Sequence, residues 1–147
     1  MKFLVILVCF LTINSVAFSQ SQTYAKPSIK RISNNDSIFF KVQILIEAYS
    51  RTEIITVRKI DSLYFADVDV QSSRAEDNFK TSALLLNNSQ IETLAKFENS
   101  VYSRNICHNQ GLRIAGRLGR YFIFFGADKF EFECRELYGL FDALEIK

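Results

Sequence analysis

The sequence predicts an α+β fold: an antiparallel sheet, built as a three-strand meander plus a C-terminal hairpin, packed by one amphipathic helix and a short C-terminal helix. Three observations predict it. Ile38, Phe40, Val42, Ile44 and Ile46 fall on alternate positions, the period of a strand with one face in a core. Ile91, Leu94, Phe97, Val101 and Tyr102 recur at helical spacing instead. The strand-like segments also come in runs, with few helical stretches between them, which is the order of an α+β domain.

The first strand starts at Ser37, and Phe39, Leu45 and Tyr49 put apolar bulk on its second face as well. A second strand is expected over residues 53–60 and a third over 63–70, joined by a tight connection at Lys59-Ile60-Asp61-Ser62. Asp67 and Asp69 alternate with Val68 and Val70, so the acids take the solvent face. Residues 71–80 read as a polar loop, and residues 81–86 suit either a short strand or the run-in to a helix. Ser89 with Glu92 has the spacing of a capping box, in which each side chain satisfies a backbone N–H at the helix start. Glu98 falls inside the helix's apolar stripe and is expected to run its stem past the core edge into water.

Residues 120–125 form a strongly apolar strand, Gly126-Ala127-Asp128-Lys129 supplies the turn, and Phe130, Phe132 and Cys134 alternate with Glu131, Glu133 and Arg135. Leu137, Leu140, Phe141 and Leu144 then mark a closing helix, which Gly139 weakens by about 1 kcal/mol relative to alanine. The aromatic residues outnumber what one sheet face can hold, and the helices are expected to cover the second face.

Residues 1–19 have the order of a cleavable signal peptide: Lys2, an apolar run from Phe3, then Ala17 and Ser19 at −3 and −1 of a cut before Gln20. The apolar run is shorter than the ~20 residues that span a bilayer, so no stable membrane anchor is expected. Lipidation at Cys9 is excluded because Val8 precedes it and Phe10-Leu11 prolong the apolar core. The expected organisation is a signal peptide over 1–19, a flexible polar leader over 20–36 containing the only proline, Pro27, and a single domain over 37–147. The expected location is secreted or periplasmic.

Export gives the cysteines their meaning. Cys107 and Cys134 remain after cleavage, and an even count outside the cytoplasm predicts a disulfide that contributes ~3–4 kcal/mol by closing the loop between them. No catalytic or metal constellation is found. His108 is the only histidine, and it cannot pair with adjacent Cys107 in an extended chain, where neighbouring side chains point to opposite sides. Zinc needs three or four clustered ligands, and Asp67 and Asp69 lack the glycine of a calcium loop. Gly111 and Gly116 have P-loop spacing, but Arg117 and Leu118 stand where lysine and a hydroxyl residue are needed. No cofactor is implied.

Removing Lys2 with the leader leaves 17 basic and 16 acidic residues, a balance that calls for no nucleic-acid partner. The distribution is less even. No acid occurs between Glu98 and Asp128, where Arg104, Arg113, Arg117 and Arg120 all lie. Guanidinium forks suit carboxylate, sulfate or phosphate. The sequence therefore points to an exported, non-catalytic binding protein with an acidic protein or anionic envelope partner. The rival expectations are a small cell-envelope hydrolase, using His108 or paired carboxylates in a pocket, and a structural envelope component.

Overall fold

The computed structural model describes residues 26, 28–104, 117–134 and 137–146. Its centre is β1 (Ser37–Ile46), whose alternating pattern buries Ile38, Phe40, Val42 and Ile44 and leaves Ile46, at the strand's end, partly buried. Across a short turn, β2 (Tyr49–Ile60) pairs with it antiparallel, placing Ile55 opposite Phe40. Asp61, at φ 54°, turns the chain into β3 (Leu63–Ser72), with Val68 opposite Ile55. On the other side of β1 lies β5 (Arg117–Phe125), with Ile123 opposite Phe40, and β6 (Asp128–Cys134) pairs outside it. Six strands stand in the order β4-β3-β2-β1-β5-β6, all antiparallel.

The fourth strand, β4 (Phe79–Leu85), takes up residues that read partly as a polar loop. Within 71–80, only residues 73–78 connect strands, and they hold a 3-10 turn at Ala75–Asp77. β4 was masked in the sequence by an irregularity. Its register against β3 shifts between Ala66 and Val68, and Ala83 there adopts φ 53°. A bulge of this kind breaks strict alternation, so a period-two search loses the strand.

Helix α1 (Asn88–Ser103) packs on one face of the sheet through Leu94, Ala95, Phe97 and Val101. Its capping box lies two residues earlier than Ser89 and Glu92. Gln90 N–H donates to Asn87 Oδ1 at 2.9 Å, and Asn87 N–H donates to Gln90 Oε1 at 3.0 Å. Asparagine caps as well as serine does, and Asn87 and Gln90 hold the same spacing.

Two further pieces close this face. A 3-10 turn at Ile29–Arg31 seats Ile29 and Ile32 in the core at 0% and 2% exposure. Packing against the domain therefore begins before Ser37, inside the stretch expected to be a leader, because two isoleucines gain from burial what polar residues would not. At the other end, α2 (Leu140–Ala143) buries Leu140 and Leu144. Gly139 is its N-cap rather than a weak point inside it.

The expectation that helices cover both faces fails for the described residues. The Ile29–Arg31 turn, α1 and α2 all share the face of Phe40 and Tyr121. By register, the opposite face carries Phe39 beside Phe124, Lys41 beside Phe122, and Arg58 beside Phe65. Its aromatic surplus is shielded by lysines: the Lys41 and Lys129 ammonium groups lie 5.6 and 5.1 Å from the Phe122 ring centroid. Four ion pairs decorate the same face, Arg58–Asp67, Lys80–Asp69, Arg120–Glu133 and Lys129–Glu131. An antiparallel sheet can present one such face to water.

Candidate functional site

Among the described residues only two charged side chains are buried, Glu53 and Glu98, each at 1% exposure. Both are carboxylates facing the helix-covered side of the sheet, and each accepts a backbone N–H from one end of the described chain.

Glu53 follows Arg51 by two positions on β2, so both side chains project to the same face. The Phe141 N–H at the start of α2 donates to Glu53 Oε2 at 2.8 Å. Arg51 Nε lies 2.9 Å from Glu53 Oε1, a charge contact whose angle does not make a hydrogen bond. The two outer nitrogens of Arg51 grip Asp142 side by side, at 3.2 and 3.0 Å, and the guanidinium sits over the Phe141 ring. Burial pushes the Glu53 carboxyl up, against the Phe141 N–H and the Arg51 charge, which pull it down. Arg51 is held above its ordinary value: burial opposes this, and the bond to Asp142 and the charges of Glu53 and Asp142 outweigh it. There is no room inside this clasp. A Cβ on Gly139 would stand 2.7 Å from Asp142 Oδ2 and 3.3 Å from Glu53 Oε1.

Glu98, on α1, has a different environment. Ser28 Oγ donates to its Oε2 at 2.9 Å, and the Ile29 N–H donates to the two oxygens at 3.2 and 3.3 Å. No described cation forms an ion pair with it: Lys30 is engaged with Glu92 at 2.6 Å, and Lys26 donates to the Tyr102 carbonyl. Burial raises the Glu98 carboxyl to about 7, with the Ser28 and Ile29 bonds opposing. One turn on, burial and then the nearby Glu98 charge push the Tyr102 hydroxyl up. The stem of Glu98 does not reach water, because the Ile29–Arg31 turn lies over it.

The four arginines are not gathered into one cluster. Arg104 ends α1 in the left-handed conformation and lies over the Phe132 ring, on the helix side. Arg117 opens β5 in an exposed position, opposite Ile46 and in phase with Tyr121. Arg120 projects to the opposite face and is bound to Glu133 at 2.7 Å. Arg113 lies outside the described residues, as do His108 and Cys107. Cys134 closes β6, half-buried, across from Gly119. Asp67 and Asp69 take the solvated face, with Val68 and Val70 buried. No group of three or more metal-ligating side chains occurs among the described residues, and none of their helices is long and apolar enough to cross a membrane.

Comparison of the chain with protein-family models, curated proteins and solved structures finds no match.

Glu53 is the residue that sequence reasoning missed. Its signal was its phase: it stands two positions before Ile55 and four before Val57, on the face those residues bury. Arg51 in the same phase supplies the counter-charge that lets it stay there.

Proposed function

We propose that the chain is an exported, non-catalytic binding protein that recognises an acidic or anionic partner through arginines flanking residues 105–116. The observation that carries this reading is the state of Arg104 and Arg117. Both are exposed, both stand on the helix side of the sheet, and neither is held in an ion pair among the described residues. Arg51, Arg58 and Arg120, by contrast, are each bound to an acid of the chain. Arg113 falls between the two exposed arginines in sequence. A guanidinium without an internal partner keeps its fork for a carboxylate or phosphate on another molecule. Arg120 drops out of the binding set on this reading.

Export rests on the pattern of residues 1–19. Export also carries the reading that Cys134 pairs with Cys107, the other cysteine left after cleavage. Hydrolysis gains no support from the buried carboxylates: Glu53 and Glu98 face their own chain at 1% exposure, beyond the reach of a substrate.

The test is calorimetric titration of the oxidised protein with polyglutamate at low and moderate salt. Salt-sensitive binding that is lost in an Arg104→Ala/Arg117→Ala variant and kept in Arg120→Ala supports the proposal. Absence of binding, or equal loss in both variants, overturns it.

A further inference from the structure

The two buried carboxylates differ in one respect that matters. Glu53 has a cation in contact and lies beneath a helix that a second acid, Asp142, also ties down. Glu98 is covered by five residues that carry only neutral donors to it. From this geometry we propose that residues 28–32 are a proton-coupled latch, seated on α1 in mildly acidic conditions and loosened in mildly alkaline ones by ionisation of Glu98.

The lid is separable. Residues 28–32 reach β1 through residues 33–36, where Asn35 takes φ 65° and is pinned to the sheet by its N–H donating to the Lys59 carbonyl at 2.9 Å. That pin leaves a hinge between the sheet and the 3-10 turn. What holds the turn down is the burial of Ile29 and Ile32, the two donors to Glu98, and an exposed Lys30–Glu92 pair. With the turn seated, Glu98 is closed off from water. With it lifted, the carboxylate hydrates, so the charged form favours the lifted state.

Among the described residues, surrounding charges do not supply an alternative counter-ion. Ahead of the lid, Lys26 engages the Tyr102 carbonyl and ring; on it, Lys30 engages Glu92, and Arg31 is exposed without an ion pair to Glu98. On α1, Lys96 is exposed and Tyr102 feels the Glu98 charge without neutralising it. Tyr121 on β5, Asp128 and Cys134 on β6, and Asp142 and Glu145 at the C-terminal end bring no positive charge, and Arg104 at the helix end lies over Phe132. The seated carboxyl, raised to about 7 against 4.5 in water, binds its proton more tightly than the lifted one. Seating is therefore strongest in acid, weakens as pH rises through that window, and levels off above it. The ratio of seated to lifted protein falls by up to roughly a few hundredfold across the window.

The experiment is an NMR pH titration of the carbon- and nitrogen-labelled protein, following the Glu98 carboxyl carbon and the Ile29 and Ile32 amides. A shared midpoint near neutrality, with the Ile29 and Ile32 responses abolished in Glu98→Gln, supports the latch. A Glu98 midpoint at the ordinary carboxylate position, or Ile29 and Ile32 amides that do not respond, overturns it. If Glu98→Gln does not fold, Ser28→Ala decides. It removes a bond that favours the charged form, so the Glu98 midpoint must rise, and an unmoved midpoint sinks the proposal.

Discussion

Ser28 Oγ donates to the Glu98 carboxylate at 2.9 Å across 70 positions of sequence. The bond joins the N-terminal 3-10 turn to the middle of α1, and the Phe141–Glu53 bond does the same for the C-terminal helix and β2. Each end of the described chain is thus held to the domain by a buried acid, one with a counter-ion and one with none among the described residues. Most of the expected behaviour of this protein follows from that difference.

Stability should depend on pH through Glu98. Its folded carboxyl lies at about 7 and its unfolded one near 4.5, so the folded state holds the proton more tightly. The contribution is full below the unfolded value, declines as pH rises from there to the folded value, and is absent above it. Urea denaturation across this range should show wild type losing up to about 3 kcal/mol, while Glu98→Gln stays flatter. A variant that follows the wild-type curve would contradict this.

The Glu53 clasp should be the more costly one to break. Glu53→Ala leaves the Phe141 N–H without its acceptor and a largely buried Arg51 with one acid fewer. Removing one member of a buried pair costs about 3–5 kcal/mol. Asp142→Asn, at a side chain 65% exposed, should cost under about 1 kcal/mol. Chemical denaturation of the two variants tests the order, and an Asp142 effect equal to that of Glu53 would refute it.

Gly139 is required by contact and not by backbone angle, since its φ of −82° suits any residue. Gly139→Ala should cost about 1–2 kcal/mol, because the new methyl displaces the Asp142 carboxylate from Arg51. The same substitution made in Asp142→Ala should cost much less, a coupling that a double-mutant cycle reads directly. Additive effects would show that the crowding lies elsewhere.

On the edge strand, Ala83 adopts φ 53° and its N–H donates to Asp67 Oδ1 at 2.8 Å. A left-handed conformation costs an L-residue about 1–2 kcal/mol, which glycine avoids. Ala83→Gly should therefore raise stability by about 0.5–1 kcal/mol after the extra chain entropy of glycine is counted. Asp67→Ala should lower it by about 1 kcal/mol, having lost both this acceptor and the Arg58 pair. Thermal melts of both variants check the signs.

The strands were legible where burial is one-sided and uninterrupted. β1 and β6 alternate without a break, and residues 63–70 do so within β3, so their phase alone gave strand and inward face. β4 was hidden by the bulge at Ala83, and the start of β2 at residues 49–52 by charged Arg51 standing at a core-facing position. The helix was legible from its stripe, but its first residue was not, since Asn87/Gln90 and Ser89/Glu92 offer the same capping spacing. The four arginines from Arg104 to Arg120 were legible only as a cluster in sequence. The pleat then put Arg117 and Arg120 on opposite faces, three positions apart on one strand.

By itself the sequence determined the class of fold, the inward face of the sheet, the helix that covers it, and the lack of any recognisable catalytic motif. Those are consequences of local periodicity and residue chemistry, which need no partner from elsewhere in the chain. Only the tertiary structure decided which carboxylates are buried and what they hold. Whether Glu98 reaches water depends on a turn some 70 positions away, and whether Glu53 does depends on a helix 88 positions away. Desolvation is set by everything that packs around a group, and a linear pattern does not contain it.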